Sequence, residues 1–126
     1  MITAPIDSTA TNRQQQILKQ YIAALDKHVL DLKEGKATEA LEIKDFASML
    51  HIHPVHLSNT VKEVTGQSTC SLYEERLVAA AKDLLLNDNL SIKQVAQQLT
   101  YDPSNFTKFF KHFTGITPKQ FRSQHP

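Results

Sequence analysis

Hydrophobic residues recur in this chain at steps of three and four. No strand-length run alternates them with polar ones, so the pattern predicts an all-α protein. The first periodic segment places Leu18, Ile22, Leu25, Val29 and Leu32 at steps of 4, 3, 4 and 3, with Tyr21 beside them. It predicts a helix from about residue 13 to Lys33, capped by Thr11 or Asn12 and closed at Glu34-Gly35-Lys36. The seam covers about two heptads, whereas a coiled coil needs ~3–4. Its expected use is packing on the domain that follows. Self-association through the 13–33 helix is the other use of such a seam.

The most informative stretch runs from Ser91 to Pro118. Ser91 and Gln94 have the S-x-x-Q spacing of a capping box, and Ile92, Val95, Ala96 and Leu99 follow on one helical face. Thr100 and Tyr101 leave that helix. Asp102 then supplies an N-cap oxygen, and Pro103 stands at the first helical position, where a missing N–H costs nothing. Phe106, Phe109, Phe110 and Phe113 are expected to form the buried stripe of the second helix, which Gly115 ends. Two short helices with a tight turn and an apolar wedge between them make a helix-turn-helix.

The same pattern occurs 49 residues earlier: Ile43 falls on Ile92, Phe46 on Val95, Ala47 on Ala96 and Leu50 on Leu99. Pro54 falls on Pro103, Leu57 on Phe106, Val61 on Phe110 and Gly66 on Gly115. Ser68 or Thr69 opens an intervening helix from about Cys70 to Leu86, a rod of roughly 25 Å at ~1.5 Å per residue. Leu72, Tyr73, Leu77, Ala80, Ala81, Leu84 and Leu85 give it a continuous apolar face, and Asn87-Asp88-Asn89 ends it. Thr117-Pro118-Lys119-Gln120 starts a closing helix. The predicted organisation is therefore a flexible tail over 1–12, a helix and connector over 13–40, and a first helix-turn-helix over 41–68. A linker helix over 69–87 follows, then a second helix-turn-helix with its closing helix over 88–126.

Composition narrows the function classes. Fourteen Lys and Arg against thirteen Asp and Glu leave a net charge of +1, so charge balance alone does not point to nucleic acid. The best basic cluster is Lys108, Lys111, Lys119 and Arg122. The single cysteine, Cys70, cannot form an intramolecular disulfide, which fits a reducing cytoplasm. The N-terminus lacks the basic and apolar regions of a signal peptide, and no apolar run is long enough to span a bilayer. His51, His53 and His56 invite a metal reading, but no carboxylate or cysteine accompanies them, so neither metal nor cofactor is expected. No catalytic arrangement stands out, and the chain is not expected to be an enzyme.

These residues together resemble the DNA-binding domain of the AraC/XylS family of bacterial transcription regulators. The resemblance runs from about Leu41 to Arg122. It includes Arg76, Ala80 and Leu84-Leu85 in the linker helix and the pattern FxxFFKxFTGxTPxxFR from Phe106 to Arg122. It implies a sequence-specific double-stranded DNA-binding regulator whose second helices enter successive major grooves ~34 Å apart. The family places base contacts at Val55, Ser58, Asn59, Ser104, Asn105 and Lys108, and phosphate contacts at Lys44, Lys62, Lys93, Lys111 and Arg122. Asn suits adenine, Lys suits the acceptors of guanine, and Val suits a thymine methyl. Arg76 is expected to tie the linker helix to a neighbouring helix. DNA is the expected partner, with RNA polymerase a further candidate, in the cytoplasm. The rival function is a degenerate domain that binds proteins.

The chain departs from the family at three places. Thr100-Tyr101 stands where the family carries Gly-Phe, in a turn expected to be one residue shorter. His53 replaces a capping Ser and Val61 replaces a Phe, which predicts a less tightly anchored first reading helix. Only about 40 residues precede the match, too few for the family's ligand-sensing domain. The expectation is a stand-alone member or a fragment of a longer regulator.

Overall fold

The computed structural model describes residues 10–87 and 89–125. Among them are α1 (Asn12–Lys33), α2 (Ile43–Leu50), α3 (Pro54–Thr65), α4 (Thr69–Leu85), α5 (Ile92–Gln98), α6 (Pro103–Thr114) and α7 (Pro118–Gln124), and no strand. The tail expected over 1–12 lies mostly outside the described residues. Thr11 caps α1, whose first residue is Asn12: the Thr11 hydroxyl accepts the Gln14 N–H at 3.0 Å, and Gln14 Oε1 accepts the Thr11 N–H at 2.9 Å. The chain divides into two units. Residues up to His28 and Leu41–Glu74 form the first; Val29–Ala40 and the residues from Glu75 onward form the second. Both α1 and α4 contribute turns to each unit.

In the first unit, Ile17, Leu18, Tyr21 and Leu25 of α1 are buried together with Phe46, Ala47, Leu57, Val61, Val64 and Leu72. Tyr21 meets Phe46 edge-on at 5.5 Å between ring centroids. Gln14 Nε2 donates to Glu63 Oε2 at 2.9 Å, so the first turn of α1 reaches the last turns of α3. Periodicity did not single out His28, yet it is buried, and its Nε2 accepts the Leu41 N–H at 3.1 Å. It pins the start of the segment leading into α2. Most of the heptad seam is buried within the chain, with Ile22 half-buried, so the residues that would drive self-association already have intramolecular use.

The second unit buries Val29 and Leu32 of α1, Leu77, Ala81 and Leu85 of α4, Val95, Ala96 and Leu99 of α5, Phe106 and Phe110 of α6, and Phe121 of α7. The Gln98 side-chain amide donates to the carbonyl of Lys33, satisfying an end group of α1. Arg122 does the same for α4, donating from Nε to the Leu85 carbonyl at 2.8 Å and from a terminal nitrogen to that of Asn87 at 3.3 Å. A guanidinium there also meets the negative end of the helix dipole.

The sequence repeat extends further than its apolar positions revealed. Asp45 Oδ2 accepts the Glu42 N–H at 2.8 Å, in register with Gln94 Oε1 accepting the Ser91 N–H at 2.8 Å. The Thr65 hydroxyl donates to the Val61 carbonyl at 2.7 Å, and that of Thr114 donates to the Phe110 carbonyl at 2.8 Å. Ser68 Oγ accepts the Ser71 N–H at 3.0 Å, matching Thr117 Oγ1 and the Gln120 N–H at 3.1 Å. Helices α2–α4 are thus built by the same local chemistry as α5–α7. Glu42 stands at the N-cap of α2, although Glu is not among the usual capping residues.

The two turns share one geometry. His51 and Thr100 both adopt the left-handed conformation, with φ of 59° and 69°. In the first turn His51 N–H bonds to the Ser48 carbonyl and Ile52 N–H to that of Ala47, at 3.1 and 3.0 Å. In the second, Thr100 N–H bonds to Gln97 and Tyr101 N–H to Ala96, at 3.0 and 2.8 Å. The two turns correspond residue for residue, so they are equally long, and Thr100 takes the left-handed conformation that a glycine adopts without strain. Helix α3 is held both at its start and along its buried stripe. Leu57 and Val61 are fully buried, and His53 caps the helix by accepting the Val55 N–H on Nδ1 at 3.1 Å.

A β-branched residue in the left-handed region is strained by roughly 1–2 kcal/mol, part of which glycine's greater unfolded-state entropy offsets. Thr100→Gly is therefore expected to stabilise the chain by up to about 1 kcal/mol. The check is a higher urea midpoint at unchanged slope.

The Phe stripe also differs from expectation. Phe106 and Phe110 are fully buried, but Phe109 is half-buried and Phe113 is 39% exposed. Phe109 packs against Tyr101 at 4.9 Å with the rings nearly parallel, and Phe113 packs on Phe109 at 5.2 Å. Seven residues of α5 span about 10 Å and twelve of α6 about 18 Å, so the shorter helix cannot cover the whole stripe. Phe121 of α7 covers Phe110, at 5.6 Å.

Candidate nucleic-acid interface

Helices α3 and α6 are set up alike. Each has Pro at its first position, a side-chain cap before it and a left-handed glycine after it. The i, i+4 pairs Leu57/Val61 and Phe106/Phe110 turn inward and are fully buried. This fixes the rotation of each helix about its axis, and with it the outward face. On α3 that face carries Val55, His56, Asn59 and Lys62, all exposed, with Ser58 half-buried. On α6 it carries Ser104, Asn105, Lys108 and Lys111, all exposed, with Thr107 half-buried and its hydroxyl donating to the Pro103 carbonyl at 3.1 Å. Every expected base-contact residue therefore lies on one of these two helices, outside its buried stripe.

The repeat register pairs these residues by chemistry. Val55 matches Ser104, His56 matches Asn105, and Asn59 matches Lys108. Identical backbone positions thus present a methyl group or a hydroxyl, an imidazole or an amide, an amide or an ammonium. One scaffold presents two different faces.

The caps differ as well. Asp102 Oδ2 accepts the Ser104 N–H at 3.1 Å and the Ser104 hydroxyl at 2.6 Å. The hydroxyl bond, helped by the backbone N–H groups of Asn105 and Ser104 and by the charge of Lys108, holds the Asp102 carboxyl below its ordinary 3.8. The Ser104 hydroxyl proton is spent on Asp102, so outward it can only accept. A depressed carboxylate contributes stability that is present above its unfolded value and lost as pH falls through its lower folded value. The stability gap between the unmodified chain and Asp102→Asn is accordingly expected to be constant above about pH 5 and to close on acidification below the ordinary value. Urea unfolding at pH 2–6 measures it.

The expected phosphate ligands fall into two groups. Lys93 on α5 and Lys111 on α6 are exposed. Lys44 lies 3.6 Å from the Glu42 carboxylate, and Lys62 donates to the Gly66 carbonyl at 2.9 Å; both bonds are at the surface and can exchange for a phosphate. Arg122 is different, because two of its donors hold the end of α4. Of the three clustered histidines, His51 is exposed in the turn, His53 is a helix cap whose Nδ1 is already an acceptor, and His56 is on the outward face. Among the described residues no group of three or more His, Cys, Asp or Glu is placed to hold a metal ion.

Comparison with known proteins places this geometry. A family model described as a helix-turn-helix domain matches residues 46–124. The chain is 31% identical, over 111 residues, to the uncharacterized HTH-type transcriptional regulator YfiF of Bacillus subtilis, covering 88% of this chain and 35% of that protein. It spans about a third or less of the length of the first curated relatives it matches. The C-terminal domain of AraT, a response regulator from Geobacillus stearothermophilus, superposes with a TM-score of 0.74 at 26% identity, over 93% of this chain and 88% of that one. The DNA-binding domain of the global transcriptional factor AdpA, solved in complex with a target DNA, shares the fold. Its TM-score is 0.71 at 17% identity, over 86% of this chain and 91% of that one.

Proposed function

We propose that this chain, which belongs to the AraC-type family of helix-turn-helix domains, binds specific sequences of double-stranded DNA and regulates transcription. The observation that carries this reading is the duplicated reading helix. Both α3 and α6 bury one stripe and leave the opposite face free of internal packing, with hydrogen-bonding side chains in the first two turns. In a helix-turn-helix those turns meet base edges while the preceding helix crosses the backbone. The AdpA fold, known with its DNA, supports the same use of the scaffold here.

In this reading Val55, Ser58 and Asn59 meet bases from α3, and Ser104, Asn105 and Lys108 meet them from α6. Asn59 and Lys108 occupy the same register and would read adenine and guanine respectively, through their paired acceptors and donors. Ser104, able only to accept outward, suits an amino group of cytosine or adenine. Lys44, Lys62, Lys93 and Lys111 would neutralise phosphates and set register without reading sequence. Arg122 is assigned a structural role as the cap of α4. Each unit carries one reading helix, so we expect each to occupy its own stretch of major groove and one chain to suffice for binding. RNA polymerase is the further partner, the cytoplasm the place of action, and neither catalysis nor pairing through α1 forms part of the proposal.

The rival, a protein-interaction module, draws on the near-neutral net charge of +1. Selection of bound sequences from a random duplex pool at low salt separates the two. Enrichment of a motif with two separated blocks is expected; no enrichment over input would overturn the DNA reading and favour the rival.

A further inference from the structure

The first unit contains a solvent-reaching cleft of about 310 Å³ where α1, the start of α2 and the first turns of α4 converge, away from the outward face of α3. Its walls are largely ring and aliphatic carbon, from Tyr21, Leu41, Ile43, Phe46 and Tyr73. A cavity of about 150 Å³ accepts benzene, so this volume suits a molecule of about two rings. Binding sites for small molecules characteristically combine such apolar walls with a few placed polar groups. Here the Tyr73 hydroxyl is covered from solvent and finds no hydrogen-bond partner among the described residues. A buried O–H left unpaired is costly, and an acceptor brought into the cleft would relieve it. Burial pushes the Tyr73 phenol up from its ordinary value, which keeps it a proton donor. Glu42 is among the residues that line the same cleft and no Lys or Arg is, which disfavours an anion.

We propose that this cleft binds a neutral, two-ring aromatic molecule carrying one hydrogen-bond acceptor, which the Tyr73 hydroxyl engages after a small swing of the side chain about its Cα–Cβ bond. The site shares no residue with the outward faces of α3 and α6, and its test does not use DNA. Cys70, the single cysteine of the chain, is exposed and lines the cleft, so it serves as a built-in reporter.

The experiment follows the rate of Cys70 alkylation in the full chain while 2-acetylnaphthalene, which carries a carbonyl acceptor, is titrated against 2-ethylnaphthalene, which has none. Saturable protection by both is expected, with the acetyl compound effective at about fivefold lower concentration. Tyr73→Phe removes only an unpaired hydroxyl and keeps the ring, so its fold is preserved, and it should erase that preference. Absence of saturable protection by either compound would overturn the site. A preference that survives in Tyr73→Phe would overturn the role of the hydroxyl. Equal protection by 2-naphthoate would overturn the selection for a neutral ligand.

Discussion

Phe110→Ala is expected to destabilise the chain by about 3–5 kcal/mol, and Phe113→Ala by less than about 1 kcal/mol. The two residues lie on one helix, three positions apart, and sequence periodicity treats them alike. Phe110 is fully buried and meets both Phe106 and Phe121, at centroid distances of 6.0 and 5.6 Å. Its removal leaves a cavity that the surrounding rings cannot fill without leaving their rotamers. Phe113 is 39% exposed and its loss opens no closed space. Domains have total stabilities of about 5–15 kcal/mol, so the first substitution should shift the urea midpoint by a large fraction and the second barely at all. Equal shifts would mean that α6 is covered along its whole length, contrary to the burial described above.

On a site obtained from the random pool, Lys108→Ala and Asn59→Ala are each expected to weaken binding by about 1–3 kcal/mol and to relax preference at one base position. The two residues share a register, so the relaxed positions should fall in different blocks of the motif. Lys111→Ala, by contrast, should weaken binding to all sequences similarly and lower the salt dependence by about one counterion. Gel-shift titrations at several salt concentrations on the cognate site and on single-base variants separate these patterns. Unchanged affinity for both Lys108→Ala and Asn59→Ala would remove those residues from the interface.

Much of this protein is determined locally. The capping box of Ser91 and Gln94, the prolines and glycines at the ends of α3 and α6, and the three- and four-residue spacing of apolar positions act within a turn or two of where they stand. They are readable in the chain because their partners are close in sequence. The duplication is readable for the same reason, since both copies carry the same local chemistry at one offset. The outward faces of α3 and α6 follow from the inward ones, so the candidate contact residues were also within reach of the pattern.

Tertiary structure decided what depends on distant partners. Whether a Phe in the stripe is covered is a matter of how far the neighbouring helix extends, which separated Phe110 from Phe113. Arg122 looks like one more cation of a basic cluster until the end of α4 is brought against it, 35 to 37 residues back in the chain, and its charge becomes a helix cap. His28 gains its role only when Leu41 closes over it, and the cleft beside Tyr73 exists only because segments beginning near Tyr21, Leu41 and Thr69 meet. Thr100 shows the boundary between the two. Its residue type argues against the left-handed conformation, yet the surrounding helices require one there, and the packing of α5 on α6 outweighs the local preference.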